Sequence, residues 1–380
     1  MPTTTIRSTN NVVAGRKVVD IAKKIDVLEP DSAPLTLLTK KIDKRVAVNP
    51  EFKWMEEESL TKTDQVNDGT GMLAGDVTMT VDNGSRFRAG DVVKIPRTAE
   101  NVLVTAVSTN DLTVTRGWGS TAAAAINDNE PIIIIGNANQ EHATKRAMII
   151  GDQTIRTNYT QIFRTPFGIS RTAANTEMYG GKDLAHIRMM QLIEHQKEIE
   201  RAFWFGEPKE DLTGTHPRRA TGGVDYWIST NATDAGGALT QIEFNTFLRT
   251  GFRYGSKKKW LFAAPIIVEA ISYWAAQKLQ VSVNEKTFGI SVMEYLTPFG
   301  TISIVNMNLF TEVTLYSGYA YLIDVEGLAY RYLDNSDTKL KTNIQANDAD
   351  GQEDEYITEC GLQFNNEKKS ALLYNVTSYS

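Results

Sequence analysis

The residues of this chain that could carry chemistry are few and scattered. It has one cysteine, Cys360, and four histidines, His142, His186, His195 and His216. A single thiol allows neither an internal disulfide nor a thiolate-only metal cage. Cys360 falls within Ile357–Phe364, where apolar positions alternate, so it reads as a buried strand thiol; a nucleophile needs an electropositive, partly open setting. His186 and His195 are nine positions apart on one predicted helix, about 900° of rotation, which places them on opposite faces. His142 and His216 lie in polar, loop-like stretches, and the histidines read as surface residues rather than ligands or bases.

Gly180-Gly181-Lys182-Asp183 has the lysine of a phosphate loop but lacks its upstream glycine and its Ser/Thr for magnesium, so it reads as a chain break before a helix. The nucleophile-elbow, metalloprotease and dinucleotide fingerprints are not found. The acidic clusters Glu56-Glu57-Glu58 and Asp348–Glu355 lack the ligand order of a calcium loop and read as solvated or intersubunit surface. Lys257-Lys258-Lys259 suits a phosphate, an acidic neighbour or a solvated turn equally well. The Asn-x-Thr matches at Asn158, Asn231 and Asn375 mean little without a secretory route. The sequence therefore predicts no catalytic, cofactor-binding or metal-binding residue, and no cofactor.

Composition narrows the class further. Of 380 residues, 41% are hydrophobic and 23% charged, an ordinary globular balance. A net charge of −6 excludes a broad basic face for gripping nucleic acid. The start, MPTTTIRSTNNVV, is not a signal peptide, and the longest apolar-looking stretch, Trp260 to Ile271, is about half of a bilayer span and contains Glu269. These features predict a soluble protein of a reducing compartment with no membrane partner.

The elements that would have to position any site are of unlike kinds. Residues 1–47 begin with a Thr/Asn-rich tail and allow a short helix from about Leu35 to Lys40, an arm that frays or lies along another subunit, with composition favouring fraying. Residues 77–135 carry five short strands, around Val77–Val81, Val92–Ile95, Val102–Val107, Leu112–Thr115 and Ile132–Ile135, with Asn83-Gly84 as a tight turn; they predict a small barrel or sandwich. Two extended legs, Val48–Glu58 and Ile155–Arg171, flank this module and could pair as one long hairpin.

From Asp183 the period becomes helical. Ala185, Met189, Leu192, Gln196, Ile199 and Phe203 mark a stripe on a rod of about 35 Å that ends at Gly206 and Pro208. Thr240 and Glu243 announce a capped second helix, and Pro265 opens a third whose inner face is Ile267, Ala270, Ile271 and Trp274. Hairpins are predicted around Thr297-Pro298-Phe299-Gly300, Glu326-Gly327 and Asn365-Asn366. The class is α+β with a strand-rich C-terminal half.

That order of parts resembles the major capsid (major head) proteins of tailed bacteriophages, the Hong Kong 97-type fold, and within them the branch with a β insertion in the extended loop. The insertion would run from Thr80-Val81-Asp82-Asn83-Gly84 through Val114-Thr115-Arg116-Gly117 to Pro131-Ile132-Ile133-Ile134-Ile135-Gly136, and Asp183–Gly206, with its Phe203-Trp204-Phe205-Gly206 ending, matches the spine helix in position and length. The resemblance implies an N-terminal arm at 1–47 and an extended loop at 48–171 carrying the insertion at about 72–137. It further implies a peripheral domain at 172–230 plus 341–380, with spine helix 183–206, and an axial domain at 231–340.

It also implies a function. The chain would self-assemble into the hexamers and pentamers of an icosahedral head that encloses double-stranded DNA without sequence-specific binding. It would be a virion protein assembled in the host bacterial cytoplasm with scaffold, portal and decoration proteins as partners. No long, charged, helical leader precedes residue 20, which points to a separate scaffold protein or to processing ahead of residue 1. The legs would gain most from neighbours, which makes Phe52, Trp54, Glu56, Glu57 and Glu58 on one, and Arg156, Phe163 and Arg164 on the other, the expected assembly contacts, with opposite charges pairing across subunits. Two other functions compete: an encapsulin-like nanocompartment shell, and a carbohydrate- or cell-surface-binding β module with Trp118 as its best residue.

Overall fold

The computed structural model describes residues 33–142, 144–176, 183–276, 282–283 and 293–380. The chain divides into two compact units, Met55–Ile155 and the remainder. Most of the predicted arm, residues 1–32, lies outside the described residues, as does Gly180-Gly181-Lys182.

In the smaller unit, strands run in the order Thr63–Gln65, Pro131–Asn137, Asp91–Lys94, Asn101–Ser108, Asp111–Thr115, Thr78–Thr80. A bridge between Val66 and Val81 joins the first strand to the last. Asn67 N–H donating to Thr80 O (2.9 Å) and Asp82 N–H to Gln65 O (3.1 Å) complete the closure, so this is a small barrel without free edges. Its interior is apolar: Val66, Met79, Val81, Phe87, Val93, Val102, Val104, Leu112 and Ile132 are all buried. The five strands expected from alternation are present. The sixth, Thr63–Gln65, escapes that test because its inward residue is Asp64, which is paired with Arg86 at 2.9 Å.

Asn83-Gly84 is not a two-residue hairpin turn. Thr78–Thr80 pairs with the distant strand Asp111–Thr115, and the chain instead takes a short 3-10 turn at Gly84–Arg86. Glycine is needed there for close approach, since a Cβ would stand 2.0 Å from Thr109 O. At one end of the barrel Glu100, fully buried, takes both prongs of Arg116 (2.8 and 2.9 Å) and the amides of Gly117 (2.9 Å) and Ala124 (3.2 Å). Burial pushes its carboxyl up, but these donors overrule burial and leave it below the ordinary value.

The larger unit is built on two sheets. One has the order Lys44–Ala47, Leu328–Leu333, Gly351–Phe364, Gln161–Ser170, with Lys339–Lys341 also on Gly351–Phe364. The other has the order Ala232–Leu239, Ala371–Tyr379, Ala320–Ile323, Lys258–Ala263, Thr301–Asn306, Met293–Leu296, Ser282–Val283. The helix Gln241–Gly251 starts at the predicted capping box, with both reciprocal bonds formed, and Pro265–Ala276 buries the predicted Ile267, Ala270, Ile271 and Trp274. The long helix is Asp183–Phe205, and its end carries an aromatic core. Trp204 lies 5.1 Å from Phe262, 5.1 Å from Phe310 and 5.0 Å from Tyr321.

Several expectations need correction. The helical stripe fails in its first half, where Ala185 and Met189 are exposed; the inward face is His195, Ile199, Glu200, Phe203 and Trp204. Where the helix meets Gly351–Phe364 it makes polar contacts: Arg188 pairs with Asp354 (2.5 Å) and His195 Nε2 lies 2.7 Å from Thr358 Oγ1. Of the downstream leg, only Thr154–Tyr159 pairs with Glu51–Glu56; Gln161–Ser170 runs antiparallel to Gly351–Phe364 in the main sheet. The turns at Glu326-Gly327 and Asn365-Asn366 connect different sheets and close no hairpin, whereas Thr297–Gly300 does close one. Consequently Leu328–Leu333 pairs with Gly351–Phe364, and Ala371–Tyr379 lies between Ala232–Leu239 and Ala320–Ile323 in the other sheet. Hydrogen-bond demand on both edges of each strand, not chain order, decides those memberships.

Candidate assembly surface

The described part of the arm is anchored within its own subunit. The helix Pro34–Ile42 buries Leu35 and Leu38, against the expectation of fraying. Its N-cap, Ala33, offers no side-chain acceptor. Glu200, on the long helix and fully buried, takes that role: it accepts from Leu35 N–H (2.9 Å), Thr36 N–H (2.7 Å), Thr36 Oγ1 (2.7 Å) and Trp204 Nε1 (2.9 Å). A carboxylate at a helix N-terminus satisfies orphan amides and the positive end of the helix dipole. Burial still holds its carboxyl above the ordinary range.

Next along the same interface His195 is buried, not exposed as predicted. Its Nδ1 is 2.8 Å from Thr165 Oγ1 and its Nε2 is 2.7 Å from Thr358 Oγ1. Thr358 donates to Thr338 (3.0 Å), which also receives Lys40 Nζ (3.4 Å) from the arm helix. Burial, with Lys40 nearby, pushes the imidazole down to about 4, so it is neutral in the folded protein. His186 is half-buried, and His142 and His216 are exposed.

The eight predicted assembly residues divide between interior and surface. Phe52 and Trp54 face inward on Glu51–Glu56 and are each 7% exposed. Their rings stack at 6.1 Å, Trp54 meets Trp227 edge-on at 5.3 Å, and Phe52 lies under the Arg331 guanidinium at 5.9 Å. Phe163 is buried in the core beneath the long helix. These three aromatics are thus covered by their own subunit. Arg164 pairs within the chain too, giving both prongs to Glu355 (2.5 and 2.8 Å), where the sequence predicted a partner across subunits. Glu56 is half-buried, Glu57 accepts from Gln153 (3.3 Å), and Glu57, Glu58 and Arg156 are exposed.

The acidic run near the C-terminus is similarly resolved by strand alternation. Asp354 points inward to Arg188 (2.5 Å) and Glu355 outward to Arg164, so both are buried and paired rather than solvated. Lys259 is fully buried, donating to Gly251 O (2.6 Å), Tyr254 O (2.7 Å) and Lys369 O. It holds the carbonyl end of the Gln241–Gly251 helix, and burial pushes its ammonium down to about 8. Cys360 is buried and its thiol is pushed up to about 12 by burial. Among the described residues no group of three or more His, Cys, Asp or Glu is placed to hold a metal ion, and no helix is long and apolar enough to cross a membrane. Glu200, His195 and Lys259 carry no motif; each is a polar residue whose burial depends on a segment distant in sequence.

Comparison with known proteins is consistent across most of the chain. A family model described as the SU10 major capsid protein matches residues 2–377. The major capsid protein of Pseudomonas phage PaMx41 is 24% identical over 288 residues, covering 72% of this chain and 69% of that protein. A solved structure from Mycobacterium phage Bobi aligns over 97% of this chain and 98% of its own, at TM-score 0.51 and 6% identity. The Cyanophage A-1(L) capsid asymmetric unit also aligns over 97% of this chain and 98% of its own, at TM-score 0.49 and 10% identity. At such identities the structural likeness concerns fold alone.

Proposed function

The chain belongs to the SU10 major capsid protein family, and from that premise we propose that it forms the pentamers and hexamers of an icosahedral head enclosing double-stranded DNA. It is a phage major capsid protein, a structural component of the virion that assembles into a multimeric lattice. The observation that carries the reading is the family match over residues 2–377, nearly the full chain. An encapsulin-like shell is the weaker reading beside that match, and the carbohydrate reading has one exposed aromatic in its support, Trp118 at 44%.

The finer parts of the proposal rest on physical support. Strand Lys44–Ala47 is an edge of its sheet, with Val46 43% and Val48 88% exposed, a place for a neighbour to pair and cover. A net charge of −6 suits a wall that contains DNA without a large salt-dependent grip. Scaffold, portal and decoration proteins are proposed partners, assembly is proposed in the host cytoplasm, and the subunit acts without enzymatic chemistry. With Phe52, Trp54 and Phe163 turned inward, Glu56, Glu57, Glu58, Arg156 and Arg164 are the residues of the predicted set retained as assembly contacts. Electron microscopy and sedimentation of the expressed chain test the proposal: closed regular shells are expected, and a chain that stays monomeric with a scaffold supplied overturns it.

A further inference from the structure

At the end of the long helix, a carboxylate sits among tyrosines with no ion pair among the described residues. Asp225 lies in the short helix Val224–Trp227. That turn is held rigidly: Gly223 N–H donates to Gly206 O (2.8 Å), and a Cβ on Gly223 would come within 2.8 Å of the Trp204, Ala202 and Phe203 carbonyls. Asp225 is half-buried, and among the described residues its one partner is the Tyr321 hydroxyl, 2.8 Å from Oδ1. Burial therefore raises its carboxyl above the ordinary value, with Tyr321 pulling it back only in part. The hydroxyls of Tyr316 and Tyr319 are also within its field and are held above their ordinary values, by burial first and Asp225 second.

The rings around it are fixed. Tyr316 stacks on Phe205 at 4.1 Å, and Tyr319 stands 5.0 Å from Tyr316, 6.3 Å from Tyr321 and 5.9 Å from Tyr374. Tyr316, Tyr319 and Tyr374 each keep part of their surface open to solvent, while Tyr321 is buried behind them. Aromatic faces attract cations, and a partly desolvated carboxylate without a counter-charge is costly. Together they form a surface complementary to a guanidinium or an ammonium group.

We propose that Asp225, with the partly exposed rings of Tyr316, Tyr319 and Tyr374, is the receptor for a lysine or arginine side chain projected by a second copy of this chain. The inference rests on the assembly reading, because a lattice of identical subunits brings another copy's cations to this surface. Asp225 Oδ2 accepts from the incoming cation while Oδ1 keeps Tyr321. The tyrosine faces supply the remaining contacts and exclude water.

The test compares assembly of the full chain with that of Asp225→Asn, which preserves shape and the acceptor for Tyr321, and with Tyr319→Leu and Tyr319→Phe. In Asp225→Asn the protein concentration needed for half-assembly should rise about tenfold, and its dependence on salt should flatten. Tyr319→Leu should move the same way and Tyr319→Phe should stay near wild type, with the thermal midpoint of unassembled Asp225→Asn no lower than wild type. Wild-type shells matched by Asp225→Asn in threshold and salt dependence overturn this inference alone. A wild type that forms no shells overturns the assembly reading and this inference with it.

Discussion

Glu200 caps the arm helix at Thr36, accepting both its amide and its hydroxyl across 164 positions of sequence. The same carboxylate holds Leu35 N–H and the Trp204 indole, so one side chain ties the first described element to the aromatic end of the long helix.

Removing that carboxylate should free the arm helix. Glu200→Ala leaves three buried N–H donors and a hydroxyl without their acceptor, and should cost about 3 kcal/mol. Chemical denaturation measures the loss, and limited proteolysis should find new cleavage within residues 33–42. A variant with unchanged midpoint and an intact arm would show that the cap is dispensable.

His195 makes a signed prediction about acid. Its folded value, about 4, is below the ordinary 6.5, so protons bind the unfolded chain first. The stabilisation is fully present above pH 6.5, falls as pH drops from 6.5 to about 4, and changes no further below that. The slope approaches ~1.4 kcal/mol per pH unit and the total is about 3 kcal/mol. The groups facing His195 are Thr165, Glu198, Thr358 and Lys40, and the paired carboxylates Asp354 and Glu355, also held low, add acid sensitivity only below the usual carboxylate range. In His195→Gln the part of the stability curve between pH 6.5 and 4 should flatten relative to wild type; parallel curves would refute it.

Charge reversal at Arg164 separates folding from assembly. Arg164→Glu sets a second carboxylate against Glu355, which is 4% exposed, and should lower the unfolding midpoint of the isolated subunit and weaken shell formation. The exchange Arg164→Glu with Glu355→Arg should restore part of the midpoint. Shells that return with it assign Arg164 to folding; shells that stay absent from a restored fold assign it to a contact between subunits.

Gly84→Ala probes the barrel. The new methyl would meet Thr109 O at 2.0 Å, closer than any relaxation of a side chain could relieve, and should cost about 2 kcal/mol or more. Hydrogen exchange should show protection lost at Val81 and Val104 while Leu261 and Ile304 keep theirs. Uniform loss across both sets would argue against a local effect.

The regular elements were legible wherever burial is one-sided. Alternation revealed five barrel strands, and the Thr240–Glu243 box and Pro265 located two helices with their inner faces, because local periodicity and capping depend on neighbours in sequence. The sixth barrel strand, Thr63–Gln65, was silent because a charged residue, Asp64, occupies its inward position. The surface was less legible. Phe52, Trp54 and Phe163 look like residues awaiting a neighbour until Gly361, Trp227 and the long helix respectively cover them, and Arg164 looks free until Glu355 arrives from the other end of the chain.

What the sequence determined by itself was the class of the molecule: an α+β chain, mildly acidic, without a motif for catalysis, whose order of arm, extended legs, barrel and long helix resembles a capsid subunit. Those features follow from composition and from patterns within a few turns or strands. The tertiary structure alone decided which polar residues are interior. Glu200, His195, Lys259 and Asp225 have no special spacing, and each acquires its character from segments scores of residues away. A side chain's desolvation and partners depend on everything packed around it, and that is set only when distant strands and helices meet.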